Sequence, residues 1–249
     1  MPLHIKNMPL VSDLHARWYF YPIEQAFQDK VIRFGLPNAL NHLTDAMRAA
    51  QQPIEAMLDE RVLVGKIRDK RQARVSVAGN GFQGLVALAL AECQRSDLLD
   101  ERLIFALKKK SHPLIERHAA ITVANEIQKP DFDLLVYCDE NDTAPLNIFS
   151  IKTSLRERGG QTYRWKLLLD VATAANSVSL KEKYGLSYEQ GRPVSVSLII
   201  ADFYDEVKNP QQRGAFKFFN SVYVTKPVEG DELVNPLSKI VAALNEGYC

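Results

Sequence analysis

Apolar residues recur at helical spacing from early in the chain. Leu14, Trp18, Ile23, Phe27, Val31 and Ile32 form one periodic set behind a Ser12-Asp13 capping signal, and Gly35-Leu36-Pro37-Asn38 closes it. A second helix is predicted from Asn38 through Gln51, with Leu40, Leu43 and Met47 on one side. The pattern then stays helical to about residue 110, and a short helix follows Ser111-His112-Pro113 and runs through Ala120. The aromatic cluster Trp18-Tyr19-Phe20-Tyr21 reads as part of a packed core stripe.

The period then changes. Lys129-Pro130 stops what precedes it, because proline biases the residue before it towards extended backbone. Phe132, Leu134, Leu135, Val136 and Tyr137 form an apolar, β-rich run of roughly seven residues counted from Asp131. A polar loop, CDENDTAPL, separates it from a second run, Asn147 to Lys152. Further on, Gln161 to Ala175 reads as a helix with Trp165, Leu168, Leu169 and Ala172 inward. Strands are predicted from Ser195 and around Val222 to Val224, and Asn235-Pro236 opens a C-terminal helix that buries Leu237, Ile240, Val241 and Leu244. The elements add up to an α/β fold: a central mixed β-sheet flanked by helices, with a helical N-terminal region.

Candidate chemistry gathers in the middle of this pattern. Side chains alternate along a strand, so Asp131 and Asp133 share a face while Phe132, Leu134 and Val136 take the other. Ser150 and Lys152 share a face by the same rule. If the two runs pair as an antiparallel hairpin, two carboxylates and an ammonium converge at one end of it. Carboxylates are hard oxygen ligands suited to Mg²⁺, and a lysine beside them can orient a water or offset charge at a phosphoryl group. That is the chemistry of phosphodiester hydrolysis. An Asp-Phe-Asp at a strand start is otherwise a solvated turn.

These residues resemble the PD-(D/E)xK nuclease superfamily: Pro130-Asp131, a variable gap, then Ser150-Ile151-Lys152. The continuation KTSLRERGGQTYRWKLL looks like the stretch after the catalytic lysine in type II restriction endonucleases. The resemblance spans about residues 66 to 170. It implies a restriction-endonuclease-like domain that cleaves double-stranded DNA at specific sequences with Mg²⁺. Asp131, Asp133 and Lys152 are then catalytic, and the two aspartates hold the metal, with the principal one undecided. One position departs from the pattern, since Ser150 stands where the second acid belongs. Asp133 is its natural substitute, and Glu126 and the more distant Glu116 are further candidates. Restriction endonucleases also resemble this chain in a basic run, a glycine turn and a helix beginning Gly-x-x-Phe-Gln, which here offers Gln83 as an outer ligand.

The basic residues after the lysine are candidate DNA contacts. Gly159-Gly160 breaks the helical pattern, which puts Arg156 and Arg158 on a turn beside the hairpin end and Gln161, Arg164 and Lys166 at the start of the next helix. A phosphate role suits Arg156 and Arg158, although an ion-pair network with Glu157 would use the same residues. Symmetric half-sites demand a symmetric reader, so a homodimer is expected, and the resemblance implies a companion DNA methyltransferase protecting the same site.

Composition narrows the picture only slightly. With 249 residues, 46% of them hydrophobic, the chain can bury a sizeable core, and it reads as one domain over residues 1–249 with residues 1–65 a mainly helical extension. A net charge of +1 says nothing as a total, so a nucleic-acid surface must come from local runs such as Lys108-Lys109-Lys110. Cys93, Cys138 and Cys249 are too few and scattered for a zinc site, and they fit a reducing, cytoplasmic setting. No run approaches the ~18 apolar residues of a membrane span. None of the five histidines has ligand spacing.

Two other readings use the same chain. One is a DNA-binding protein of this fold whose cleavage site has decayed at Ser150. The other is a dinucleotide-binding enzyme, because Gly79, Gly81 and Gly84 match GxGxxG after the short run Arg74 to Ala78.

Overall fold

A computed structural model describes residues 5–108, 111–155, 159–189 and 191–246. In chain order the elements are α1 (Met8–His15), α2 (Phe20–Phe34), α3 (Leu43–Leu63), α4 (Lys70–Arg95), β1 (Leu103–Leu107), α5 (Pro113–His118), β2 (Ile121–Val123), β3 (Glu126–Gln128), β4 (Leu134–Cys138), β5 (Leu146–Lys152), α6 (Gly159–Thr173), α7 (Val178–Tyr184), β6 (Leu186–Ser187), β7 (Val194–Ile200), α8 (Pro210–Phe216), β8 (Ser221–Val224), β9 (Asn235–Pro236) and α9 (Ile240–Glu246).

Six strands form a mixed sheet in the order β1-β4-β5-β7-β8-β9. β1, β4 and β5 are antiparallel neighbours, and β5, β7, β8 and β9 are parallel. The expected hairpin is therefore present, with Leu134 opposite Phe149 and Val136 opposite Asn147. β5 is the hinge of the topology, antiparallel to one neighbour and parallel to the other. Its side chains are buried on both faces, which is why its sequence reads as a nearly continuous apolar run.

Alternation along the strands builds a three-layer molecule. Leu134, Val136, Phe149, Ile151, Ile199 and Tyr223 pack towards α1 to α4 and α9. Leu135, Ile148, Val196, Leu198, Ile200 and Val222 pack towards α5, α6 and α8. These strand positions are thus assigned to a face by the period of two.

Several local expectations are corrected. Ser12-Asp13 lies inside α1 and does not cap α2, because the chain turns at residues 16–19 between the two helices. The second helix is longer than expected: a 3-10 turn covers Asn38–His42, and α3 then runs to Leu63 through Pro53. The strand after Pro130 starts at Leu134, not Asp131, so both aspartates precede it. Asn235-Pro236 pairs with β8 before the C-terminal helix begins. Phe20 is fully buried as a core stripe requires, yet Tyr21 faces solvent.

β1 was hidden in ERLIFALKKK, whose flanking charges suggest a helix. It is an edge strand, and the fully buried Asn7 covers it: Asn7 Nδ2 donates to Leu103 O, and Phe105 N donates to Asn7 Oδ1. The small sheet β3-β2-β6 is also unannounced in the sequence. Its hairpin turns on Ala124 and Asn125, both at positive φ, the conformation a two-residue hairpin loop needs.

The glycine motif forms no loop. Gly79, Gly81 and Gly84 sit inside the unbroken α4, together with Arg74 to Ala78. A Cβ at Gly81 would lie 2.7 Å from Ile23 Cδ1, and one at Gly84 would lie 2.7 Å from Leu14 Cδ2. Those two glycines let α1 and α2 approach α4. The dinucleotide-binding reading loses its phosphate cradle.

Candidate active site

Asp133 occupies the point where the ladder ends. Its backbone still pairs on both sides, N–H to Phe149 O at 2.9 Å and C=O from Lys108 N at 3.1 Å, although β4 proper starts one residue later. The residue is therefore held as rigidly as the sheet. Its carboxylate accepts three hydrogen bonds. Lys152 Nζ donates to Oδ2 at 2.8 Å, Ile151 N donates to the same oxygen at 2.7 Å, and Gln83 Nε2 donates to Oδ1 at 2.8 Å. The Asp133 and Lys152 side chains are only 9% and 11% exposed. Screening by water is weak there, and a charged donor makes the bond strong.

Three distant parts of the chain meet at this carboxylate. β5 supplies Lys152 and the Ile151 amide from its C-terminal end. α4 supplies Gln83 from its middle, next to the glycines that set its distance from α1 and α2. Ser150 is fully buried in β5. Gly-x-x-Phe-Gln was the sequence signal for Gln83; it lies in mid-helix, not after a glycine turn.

The other candidates go elsewhere. Asp131 pairs at a half-exposed position with Lys108, the first residue of the basic run considered above for a nucleic-acid surface. Glu126 lies exposed on β3, in the separate small sheet. Glu116 pairs with Lys129 at 2.8 Å. Arg164 is exposed on α6, whereas Lys166 is buried and paired with Asp170 one turn on. Gln161 lies in the first turn of α6, so that helix begins at the glycine pair and is not broken by it. Arg156 and Arg158 lie outside the described residues.

Among the described residues no group of three or more His, Cys, Asp or Glu side chains gathers, so a metal here would not sit in an all-protein cage. The donors present still suit a hard divalent cation: the Asp133 carboxylate, the carbonyl end of the Gln83 amide once turned, and water or phosphate oxygens for the remaining positions. Histidines serve the scaffold instead. His112 Nδ1 accepts from Leu114 N at the start of α5, and His118 Nδ1 from Arg192 N. Burial lowers the pKa of both rings. Cys93 and Cys138 are buried, and desolvation pushes the Cys93 thiol up to about 12.

A mixed sheet flanked by helices, with an aspartate and a lysine meeting at the end of its central hairpin, is the architecture of restriction-endonuclease-like α/β proteins. The BsaWI restriction endonuclease type 2 family matches residues 107–246, more than half of the chain, and the chain belongs to that family. It is a type II site-specific deoxyribonuclease, a hydrolase acting on DNA, and enzymes of this class generally use divalent metal ions. No curated protein is similar enough to register as a match. The matched span contains Asp131, Asp133 and Lys152 but leaves Gln83 outside. Among the described residues no helix is long and apolar enough to cross a membrane.

Proposed function

We propose that this enzyme hydrolyses phosphodiester bonds of double-stranded DNA with Mg²⁺ at the Asp133–Lys152 centre, as a PD-(D/E)xK nuclease whose principal carboxylate is Asp133. The observation that carries the reading is the convergence of Lys152 Nζ, the Ile151 amide and the Gln83 amide on one carboxylate at a sheet end. Asp133, with Gln83 beside it, would hold the metal, which when bound would acidify a water and offset charge on the phosphate.

The protein's own groups have distinct work in that reading. The Ile151 N–H fixes the direction of the Asp133 carboxylate, so the ligand pays little reorganisation. Lys152 shares that carboxylate and keeps its ammonium beside the reacting phosphate, where it orients the water and offsets the charge that develops as the P–O bond breaks. Ser150 is buried in β5, two residues before Lys152. Asp131 belongs to the rim.

The DNA contacts proposed for Arg156, Arg158, Gln161, Arg164 and Lys166 follow from their place after Lys152. Arg164 is the best supported, being exposed on α6; Lys166 is the least, since it is buried against Asp170. A symmetric reader implies a homodimer, and a site-specific nuclease implies a methyltransferase that protects the same sequence in the cytoplasm of its host. We also read residues 1–249 as one domain with residues 1–65 a mainly helical extension. The support is that Leu14, Phe27 and Leu40 share a core cluster with Phe149 and Ile199 of the sheet.

The test is digestion of a mixed-sequence plasmid with Mg²⁺ and with EDTA, for the wild type and Lys152→Ala. Discrete fragments only with Mg²⁺, and none from the variant, are expected. Cutting by Lys152→Ala at the wild-type rate would remove this centre from the reaction.

A further inference from the structure

Two clefts flank the Asp133 centre along α4. One, about 270 Å³, is lined by Arg17, Asn80, Gln83 and Lys108. The other, about 450 Å³, begins at Thr153 and Ser154, the two residues after Lys152, and runs between α3 and α4. Ala78 and Arg74, which line its α4 side, precede Gln83 by about 8 and 14 Å along the helix axis at ~1.5 Å per residue. A DNA strand whose phosphate lies at Lys152 therefore has a lined path away from it.

The larger cleft is suited to a nucleotide backbone. Its floor is apolar, with Met47, Ile54 and Val77, and its rim carries Arg48 and Tyr204. The Arg48 side chain is 53% exposed; it lies 3.7 Å from Asp45, donates to Phe203 O at 3.3 Å and stands over the Phe203 ring. Tyr204 is a large aromatic residue, 61% exposed, beside it. Glu55 also faces the cleft, but the Arg74 guanidinium pairs with it and holds its carboxyl below its ordinary value. Of the two arginines lining the cleft, Arg48 has the looser carboxylate contact, 3.7 Å to Asp45.

We propose that this cleft binds the nucleotide next to the cleaved phosphate, with Arg48 on that nucleotide's phosphate and Tyr204 against its sugar. Bases in a duplex are stacked on one another, so a protein wall beside the backbone meets phosphate and deoxyribose rather than a base face. An arginine supplies a fork to the former and a tyrosine an apolar face to the latter. Arg48, on α3, also lies outside the span matched by the family, so this inference gives the helical N-terminal region a share in substrate binding. It rests on the reading that DNA is cut at Asp133 and Lys152.

The experiment uses the full chain and a duplex carrying a cleavage site mapped from plasmid digestion, in native form and with a neutral methylphosphonate at each phosphate near the cut in turn. Apparent affinity comes from the dependence of single-turnover cleavage on enzyme concentration. Arg48→Gln should weaken affinity about tenfold and lower the slope of log affinity against log salt by about 0.9. One neutral position should weaken the wild type yet leave Arg48→Gln unchanged. Arg48→Lys should recover part of the loss, which a folding defect would not produce, and Tyr204→Ala should weaken binding while keeping that sensitivity. Affinity of Arg48→Gln within about twofold of wild type, or the same methylphosphonate pattern in both proteins, would overturn the proposal. If instead Lys152→Ala cuts normally, the reading of the centre has failed, and the methylphosphonate pattern still reports whether Arg48 touches a phosphate.

Discussion

Asp131 and Asp133 stand two residues apart before β4, and the protein treats them differently. Asp131 meets Lys108 with both side chains more than 40% exposed, whereas Asp133 meets Lys152 with both near 10%. Among the described residues the first carboxylate has one charged partner, Lys108, at an exposed position. The second has three donors converging from a strand end, a backbone amide and a helix. An exposed ion pair contributes ~0.2–1 kcal/mol and is screened by salt; a buried, multiply bonded one is fixed in direction and expensive to disturb. Residue type and spacing do not separate these sites. The number of rigid groups aimed at each oxygen does.

The largest effect tests that asymmetry through the lysines. Lys152→Ala should lower the single-turnover cleavage rate by about 10³-fold or more, a size typical of losing preorganised charge at a reacting centre, while Lys108→Ala keeps its rate within about threefold. A chemical step slowed equally by both changes would show that burial does not mark the working lysine. Stability should separate the pairs too. Removing one partner of a buried pair costs ~3–5 kcal/mol, so Asp133→Ala should lower the urea midpoint clearly. Replacing both partners, Asp133→Leu with Lys152→Met, should restore much of the stability and none of the cleavage. A double variant less stable than Asp133→Ala would mean that the pair is structural.

Gln83 sharpens the comparison, because among the described residues Asp131 has Lys108 as its side-chain partner and no amide of this kind. Gln83→Ala should cut activity by ~10–100-fold and raise the Mg²⁺ needed for half-maximal rate, the scale seen when groups orienting a metal ligand are lost. Gln83→Glu should recover metal affinity by adding a charge. An unchanged Mg²⁺ requirement in Gln83→Ala would reduce the residue to a scaffold contact. The smallest expected effect is at the rim: Asp131→Asn should leave both stability and rate within about twofold of wild type.

How far these features were legible follows from the range of the forces that make them. The hairpin of β4 and β5, the strands β7 and β8 and the buried face of α9 are written in local apolar periods, and the sequence carried them. The place of Lys152 at the end of β5 is legible for the same reason, since it closes an apolar run. The different surroundings of Asp131 and Asp133 are not legible in the sequence: a strand rule puts both on one face, but the ladder starts only at Leu134, and the partners that distinguish them, Lys108 for one and Lys152, Ile151 and Gln83 for the other, come from distant parts of the chain. Gly81 and Gly84 read alike as a loop and as a tight helix crossing, because both require the absence of a Cβ; only the neighbours Ile23, Leu14 and Phe20, sixty residues or so away in sequence, distinguish them. β1 is not legible locally for a related reason, as its strand state depends on the pairing with β4 and on Asn7 more than on its own residues.

In the mechanism proposed above, cleavage depends on the carboxylate of Asp133 and not on that of Asp131. The direct measurement is the single-turnover cleavage rate of Asp133→Asn and Asp131→Asn on one mapped duplex, over a series of Mg²⁺ concentrations. Asp133→Asn is expected to be inactive, or active only at far higher Mg²⁺, while Asp131→Asn follows the wild-type curve. The reverse pattern, or equal loss in both variants, would contradict it.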